Sequence, residues 1–118
     1  MRLVLVLALL LLCGCPLVLP PWNIICTTQF VYGLTVAVMD EQDEPVAGAV
    51  LTLRDGAYTE QMTEREPGLY IGAGERPGVY TLTVEALGFA SSTVENIVIT
   101  ADLCHVIPVG RQVTLARN

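Results

Sequence analysis

The chain has 118 residues, and its twelve aspartates and glutamates outnumber six arginines, with no lysine, for a formal net charge of −6. Nucleic-acid binding needs clustered cations to contact phosphates, and scattered arginines in an acidic chain argue against it. The same balance argues against electrostatic attachment to anionic lipid, and the length leaves room for one domain.

The first 14 residues read as an export signal. Met1 and Arg2 give a minimal positive start, residues 3–12 are apolar, and Leu12-Cys13-Gly14-Cys15 follows. This tetrapeptide resembles a lipobox, the bacterial lipoprotein signal in which small residues precede the cysteine that is acylated. We therefore predict a signal peptide over residues 1–14, cleavage after Gly14 and a palmitate-type lipid on Cys15.

Two other interpretations of the N-terminus remain open, namely a plain secretory signal and an uncleaved anchor over residues 3–19. The apolar run before Gly14 is shorter than the roughly 20 residues of a spanning helix, and Pro16 would end a helix early. Leu17 stands where an inner-membrane retention signal would have Asp. We expect a cell-envelope location, in the outer membrane if the source is Gram-negative, with residues 15–30 as a tether.

Cysteine usage suggests one covalent cross-link. Cys13 leaves with the signal and Cys15 takes the lipid, so Cys26 and Cys104 remain as an even pair in an oxidising compartment. We predict a disulfide between them, with two buried thiols as the alternative. A metal site is disfavoured because the chain has one histidine and no Cys-x-x-Cys.

From Leu34 onward the hydrophobic period is two, which indicates β-strands. Apolar residues alternate over residues 34–39 and 49–54, and Asp55-Gly56 predicts a hairpin turn into a third strand over residues 57–63. Residues 64–68 are polar and predict a turn. Further strands are predicted from Leu69, over residues 79–85 and 93–100, and over residues 106–115. Seven or so short strands predict an all-β, two-sheet sandwich.

The spacing of these motifs resembles the carboxypeptidase regulatory-like domain, a transthyretin-like sandwich. The matching stretches cover residues 31–115 and are Val36-x-Val38-x-Asp40, Pro45-Val46-Ala47-Gly48-Ala49-x-Leu51-x-Leu53, Gly78-x-Tyr80-x-Leu82-x-Val84 and Gly88-Phe89. The closing Asp102-x-Cys104-His105-Val106 and Val113-Thr114-Leu115 are similar to such domains in exported bacterial proteins. The resemblance implies a domain over residues 31–118 that serves as an accessory module beside many activities.

Candidates for chemistry are few. Histidine is the residue type most often used for acid–base chemistry near neutral pH, which makes His105 the first candidate, yet a single histidine beside the predicted cross-link is more typical of a structural side chain. Ser91 and Ser92 lack the Gly-x-Ser-x-Gly context of a nucleophile. Asp40, Asp43 and Glu44 lie in one loop, but their spacing is not that of a calcium-binding EF-hand.

We therefore expect a non-catalytic structural or protein-interaction module, anchored in the envelope by its lipid, with no cofactor and no nucleic-acid partner. The alternative is a lipoprotein that binds carbohydrate or peptidoglycan through exposed aromatic rings. Tyr80 is expected in the core and Trp22 in the tether, which leaves Tyr58 and Tyr70 as the residues for such a contact.

Overall fold

The computed structural model describes residues 25–118, which form eight strands in two four-stranded sheets packed as a sandwich. The predicted signal peptide and Cys15 lie outside these residues. The strands are β1 (Tyr32–Asp40), β2 (Val50–Asp55), β3 (Tyr58–Gln61), β4 (Thr63–Glu66), β5 (Leu69–Gly74), β6 (Gly78–Glu85), β7 (Ser92–Ile99) and β8 (Val109–Leu115). Within residues 25–118, no helix is both long and apolar enough to cross a membrane.

The order of strands in one sheet is β4-β5-β1-β8 and in the other β3-β2-β6-β7. Neighbours are antiparallel except β1 and β8, which run parallel from the pair Leu34 and Val109 to the pair Asp40 and Leu115. The two sheets bury a single core between their inner faces. The all-β sandwich expected from the sequence is confirmed.

The core consists of the residues that alternate along the strands, because successive side chains of a strand point to opposite faces. Leu34, Val36 and Val38 of β1 are fully buried, as are Leu51 and Leu53 of β2. Strand β6 contributes the fully buried Tyr80, Leu82 and Val84. The predicted inner faces of these three strands are therefore correct.

The hairpin predicted at Asp55-Gly56 joins β2 to β3, with a small difference in register. Asp55 pairs with Tyr58, so the two central residues of the turn are Gly56 and Ala57. Gly56 has a φ of 61°, and a positive φ at the first central residue is typical of a type II′ turn. Glycine adopts this conformation without steric cost.

The region after this hairpin differs from the prediction of one strand followed by a turn. Strand β3 ends at Gln61, the side chain of Met62 enters the core, and β4 then pairs with β5 in the other sheet. The N–H of Met62 still donates to the carbonyl of Leu51 at 2.8 Å. The polar stretch over residues 64–66 is thus part of an edge strand and not a turn. A polar sequence can form this strand because β4 pairs with β5 through its backbone and all its side chains are exposed.

Candidate functional site

The N-terminal pole of the sandwich carries the main cluster of hydroxyl, imidazole and carboxylate side chains. We use this name for the end formed by residues 25–31, the β5–β6 turn and the β7–β8 loop. Strands β1 and β8 begin there and β5 and β7 end there. An open cavity of about 420 Å³ lies between these segments, lined by residues that include Thr27, Phe30, Glu75, Asp102 and His105.

A disulfide between Cys26 and Cys104 closes this pole and confirms the predicted cross-link. The two Cα atoms lie 5.2 Å apart, within the range that a disulfide requires. The bond joins residues 78 positions apart in the chain. It fixes residues 25–31 to the β7–β8 loop, which brings the remaining groups of the cavity together.

His105 is the centre of a hydrogen-bonded chain with Thr27 and Glu75, which we call the Glu75 cluster. Nδ1 of His105 lies 2.5 Å from Oε2 of Glu75, and Nε2 lies 2.9 Å from Oγ1 of Thr27. A carboxylate accepts, so Nδ1 donates, which leaves Nε2 of the neutral ring to accept from the hydroxyl. The order hydroxyl, imidazole, carboxylate is also that of a nucleophilic triad.

Glu75 is engaged by more than the histidine. Its Oε2 accepts the N–H of Val31 at 3.0 Å, and its Oε1 accepts the N–H of Val106 at 3.2 Å. Partial burial alone would raise the pKa of Glu75, but the hydrogen bonds from His105, Val106 and Val31 outweigh it, and the pKa is lowered. The ionised carboxylate therefore holds three segments of the pole together.

Two backbone donors of the cavity lining are bonded to a carboxylate of their own loop. The N–H groups of Cys104 and His105 donate to Oδ1 of Asp102 at 2.8 and 2.9 Å, and they lower the pKa of that carboxyl. Acyl transfer needs donors aimed at the developing oxyanion. To serve as such donors, the two N–H groups would have to give up their hydrogen bonds to Asp102. As the bonds stand, they fix the β7–β8 loop.

Sequence reasoning singled out His105 but missed Thr27 and Glu75. Glu75 lies in a polar turn of glycines and proline and has a φ of 49°, and its partner His105 is 30 positions away. From the sequence, only the predicted cross-link indicated that the segments around Cys26 and Cys104 meet in the fold. No local spacing in the sequence indicated the contact.

The aromatic residues proposed for sugar binding do not form a platform, which corrects the expectation for Tyr58 and Tyr70. Tyr70 is only 1% exposed, and its hydroxyl donates to the carbonyl of Val46 at 2.8 Å and accepts the N–H of Ala49 at 3.0 Å. A tyrosine whose hydroxyl finds its hydrogen-bond donor and acceptor inside the protein can be buried. The alternation of side chains along β5 places Tyr70 on the inner face. Burial raises its pKa.

Tyr58 is half-buried and its ring is covered. The guanidinium of Arg76 lies 3.7 Å from the ring centroid and also donates to Asp55 and to the hydroxyl of Tyr80. Tyr58 belongs to the sheet opposite that of Tyr70. The Tyr58 hydroxyl donates to Glu60 at 2.8 Å, a bond that raises the pKa of Tyr58.

The acidic loop considered for calcium is organised around Asp40, which is buried. Its Oδ1 accepts the N–H groups of Gln42 and Glu44 at 2.8 and 2.9 Å, and Arg117 approaches Oδ2 at 3.5 Å. Asp43 and Glu44 are exposed. Among residues 25–118, no three histidine, cysteine, aspartate or glutamate side chains are grouped to hold a metal ion.

The two-sheet sandwich, with its strands joined by short turns and its inner faces apolar, defines an immunoglobulin-like β-module. The carboxypeptidase regulatory-like domain family matches residues 33–105, well over half of the chain, and the chain belongs to this family. The family is non-catalytic. The resemblance to this family that was stated from the sequence is confirmed.

Among solved structures, the chain is similar to the Bacillus anthracis TIE protein, with a TM-score of 0.53 and 14% identity. The similarity covers 75% of this chain and 17% of that protein, so the chain corresponds to a small part of its length. At this identity the similarity shows the fold alone. A search of curated proteins gives no match.

Proposed function

We propose that the chain is a non-catalytic module, anchored in the cell envelope by a lipid on Cys15, that binds another envelope protein along an open strand edge. The observation that carries the proposal is the asymmetry between the two lateral sides of the sandwich. On one side the edge strands β3 and β4 have four residues each and are joined through Met62. On the opposite side the edge strands β7 and β8 have eight and seven residues. All four edge strands are paired on one side only, and the longer two leave more unpaired backbone groups for an added strand.

Of these two edge strands, β8 is the better template for an added strand. Strand β7 has an irregular register opposite Tyr80 and Leu82, and Asn96 has a φ of 57°. Such bulges are a common protection of sheet edges. Strand β8 pairs with β1 without interruption over seven residues, and Arg111 is its one charged residue. A partner strand could therefore extend the sheet through main-chain hydrogen bonds.

The non-catalytic part of the proposal is supported by the family. It is also supported by the hydrogen bonds that engage the reactive side chains within the domain. His105 and Glu75 bind each other and the backbone, and Asp102 accepts bonds from its own loop. The anchoring part is supported by the Leu12-Cys13-Gly14-Cys15 motif after an apolar run. The carbohydrate-binding alternative loses its main support because Tyr70 is buried.

Site-specific photo-crosslinking tests the edge directly. A benzophenone amino acid replaces Gln112, an exposed residue of β8, and in a matched control it replaces Thr59, an exposed residue of the short edge strand β3. We expect a discrete envelope-protein adduct from position 112 in intact cells and none from position 59. Identical adducts at both positions, or none at position 112, would contradict the proposal.

A further inference from the structure

The large exposed apolar side chains of the domain are not evenly distributed. Nine are found among residues 25–118, and seven of them lie at the N-terminal pole or at the strand ends that reach it: Ile25, Phe30, Tyr32, Val79, Val98, Leu103 and Ile107. The other two, Val50 and Leu87, lie at the opposite pole. Single exposed apolar residues need no explanation, but a cluster marks a contact surface.

The two most exposed members of this cluster flank the disulfide in sequence. Ile25 is 89% exposed and Leu103 is 79% exposed, and each is the neighbour in sequence of a cysteine of the disulfide. Phe30, 58% exposed, lines the same cavity as Leu103. The cross-link therefore holds apolar side chains from two distant parts of the chain at one end of the molecule.

Charged groups at this pole are bonded within the domain. Arg76 pairs with Asp55, the Glu75 carboxylate accepts a hydrogen bond from His105, and the Asp102 carboxylate accepts two backbone N–H groups. The pole therefore offers anionic headgroups little electrostatic attraction. An apolar surface whose carboxylates are hydrogen-bonded within the domain is suited to the interface of a neutral lipid layer.

The position of the lipid-bearing cysteine identifies what covers this surface. Ile25 is only ten residues after Cys15, and ten extended residues span about 35 Å at most. Prolines and apolar residues make up most of that stretch, Pro16-Leu17-Val18-Leu19-Pro20-Pro21-Trp22. The chain that would carry the lipid therefore joins the domain at this pole, beside the exposed apolar side chains.

We infer that the N-terminal pole is a lipid-contacting surface, with Ile25, Phe30, Leu103 and Ile107 seated in the interface of the membrane that holds the anchor. The inference rests on the lipid anchor of the proposed function. It adds an orientation, since the domain lies against the bilayer on this pole with the opposite pole directed away from it. Strands of eight or nine residues separate the two poles by roughly 25–30 Å.

Quenching by brominated acyl chains tests this orientation on the full-length acylated protein. The chain has one tryptophan, so a Trp22→Phe background removes the native tryptophan fluorescence and each added tryptophan can be observed alone. Leu103→Trp places a reporter at the N-terminal pole, and Leu87→Trp places a matched reporter at a fully exposed position of the opposite pole. Both variants go into phosphatidylcholine vesicles with and without brominated chains, and circular dichroism verifies their fold.

We expect the Leu103→Trp emission to shift to the blue and to be quenched several-fold more than that of Leu87→Trp, with little dependence on salt. Ile107→Trp provides a second reporter at the same pole and is expected to behave like Leu103→Trp. Equal, weak quenching of all reporters in protein that floats with the vesicles would overturn the inference and leave the anchor intact. Protein that does not float with the vesicles would overturn the anchor and the inference together.

Discussion

Asp40 illustrates how one carboxylate organises a whole loop. It is the last residue of β1, and its buried side chain caps the following turn by accepting the N–H groups of Gln42 and Glu44. The bond from Glu44 lowers the pKa of Asp40 most, burial opposes it, and Gln42 and Arg117 add to the lowering. The sequence indicated a solvated acidic loop here, but it could not show that one of the acids turns inward.

Replacing this carboxylate should change the acid stability of the domain. A folded pKa below the unfolded value of about 3.9 means that ionised Asp40 stabilises the fold above that pH, and that this contribution is lost as pH falls through the folded pKa. We expect Asp40→Asn to lower the urea midpoint at pH 7, and the difference from wild type to shrink below about pH 4.

Asp43→Asn is the matched control, because Asp43 is an exposed acid of the same loop and asparagine tolerates its positive φ of 61°. Its midpoint should follow that of wild type at each pH. Urea unfolding at a series of pH values measures both variants. A difference between Asp40→Asn and wild type that stays constant down to pH 2 would show that the ionisation of Asp40 is irrelevant.

At the scale of strands, prediction succeeded where one face is buried and failed where the chain changes sheets. Alternation identified β1, β2 and β6 because a buried face allows only apolar residues at every second position. The transition at Met62 was missed because residues 57–66 lack a clear alternation, and no residue of β4 is buried. The last strand was predicted to begin at Val106 but begins at Val109, directly after Pro108. Proline explains this shorter strand because it has no N–H to donate.

The candidate site was predicted less completely than the fold, for a related reason. The disulfide could be inferred because only two cysteines remained once the signal and lipid were assigned. The Glu75 cluster depends on three segments that meet only in the folded molecule, and neither Thr27 nor Glu75 has a distinctive local pattern. Contacts of this kind come from topology, which places the β5–β6 turn beside the β7–β8 loop.

For the whole molecule, the cross-link between Cys26 and Cys104 is the main covalent constraint on a small core. It closes a loop of 78 positions that contains nearly all the strands. A chain of this size buries a limited fraction of its unfolded surface, so restricting the unfolded state adds a large share of stability. The chain-entropy model assigns a loop of this length about 4.5 kcal/mol.

Reduction should therefore lower the free energy of unfolding by up to about 4.5 kcal/mol. Urea unfolding with and without reductant measures this, and intact mass after alkylation confirms the oxidised state of the starting protein. The double variant Cys26→Ser, Cys104→Ser should match reduced wild type and should not respond to reductant. Equal midpoints for oxidised and reduced wild type would contradict the role given to the cross-link.

The proposed attachment of the whole molecule to the envelope depends on a single residue, Cys15. Cells of a bacterial host that processes lipoproteins are fed an alkyne fatty acid, and the protein is then coupled to a dye and examined by gel. We expect label on wild type and on Cys13→Ser, since serine is among the residues usual at that position, and no label on Cys15→Ser. Label retained by Cys15→Ser, or absent from wild type, would contradict the account.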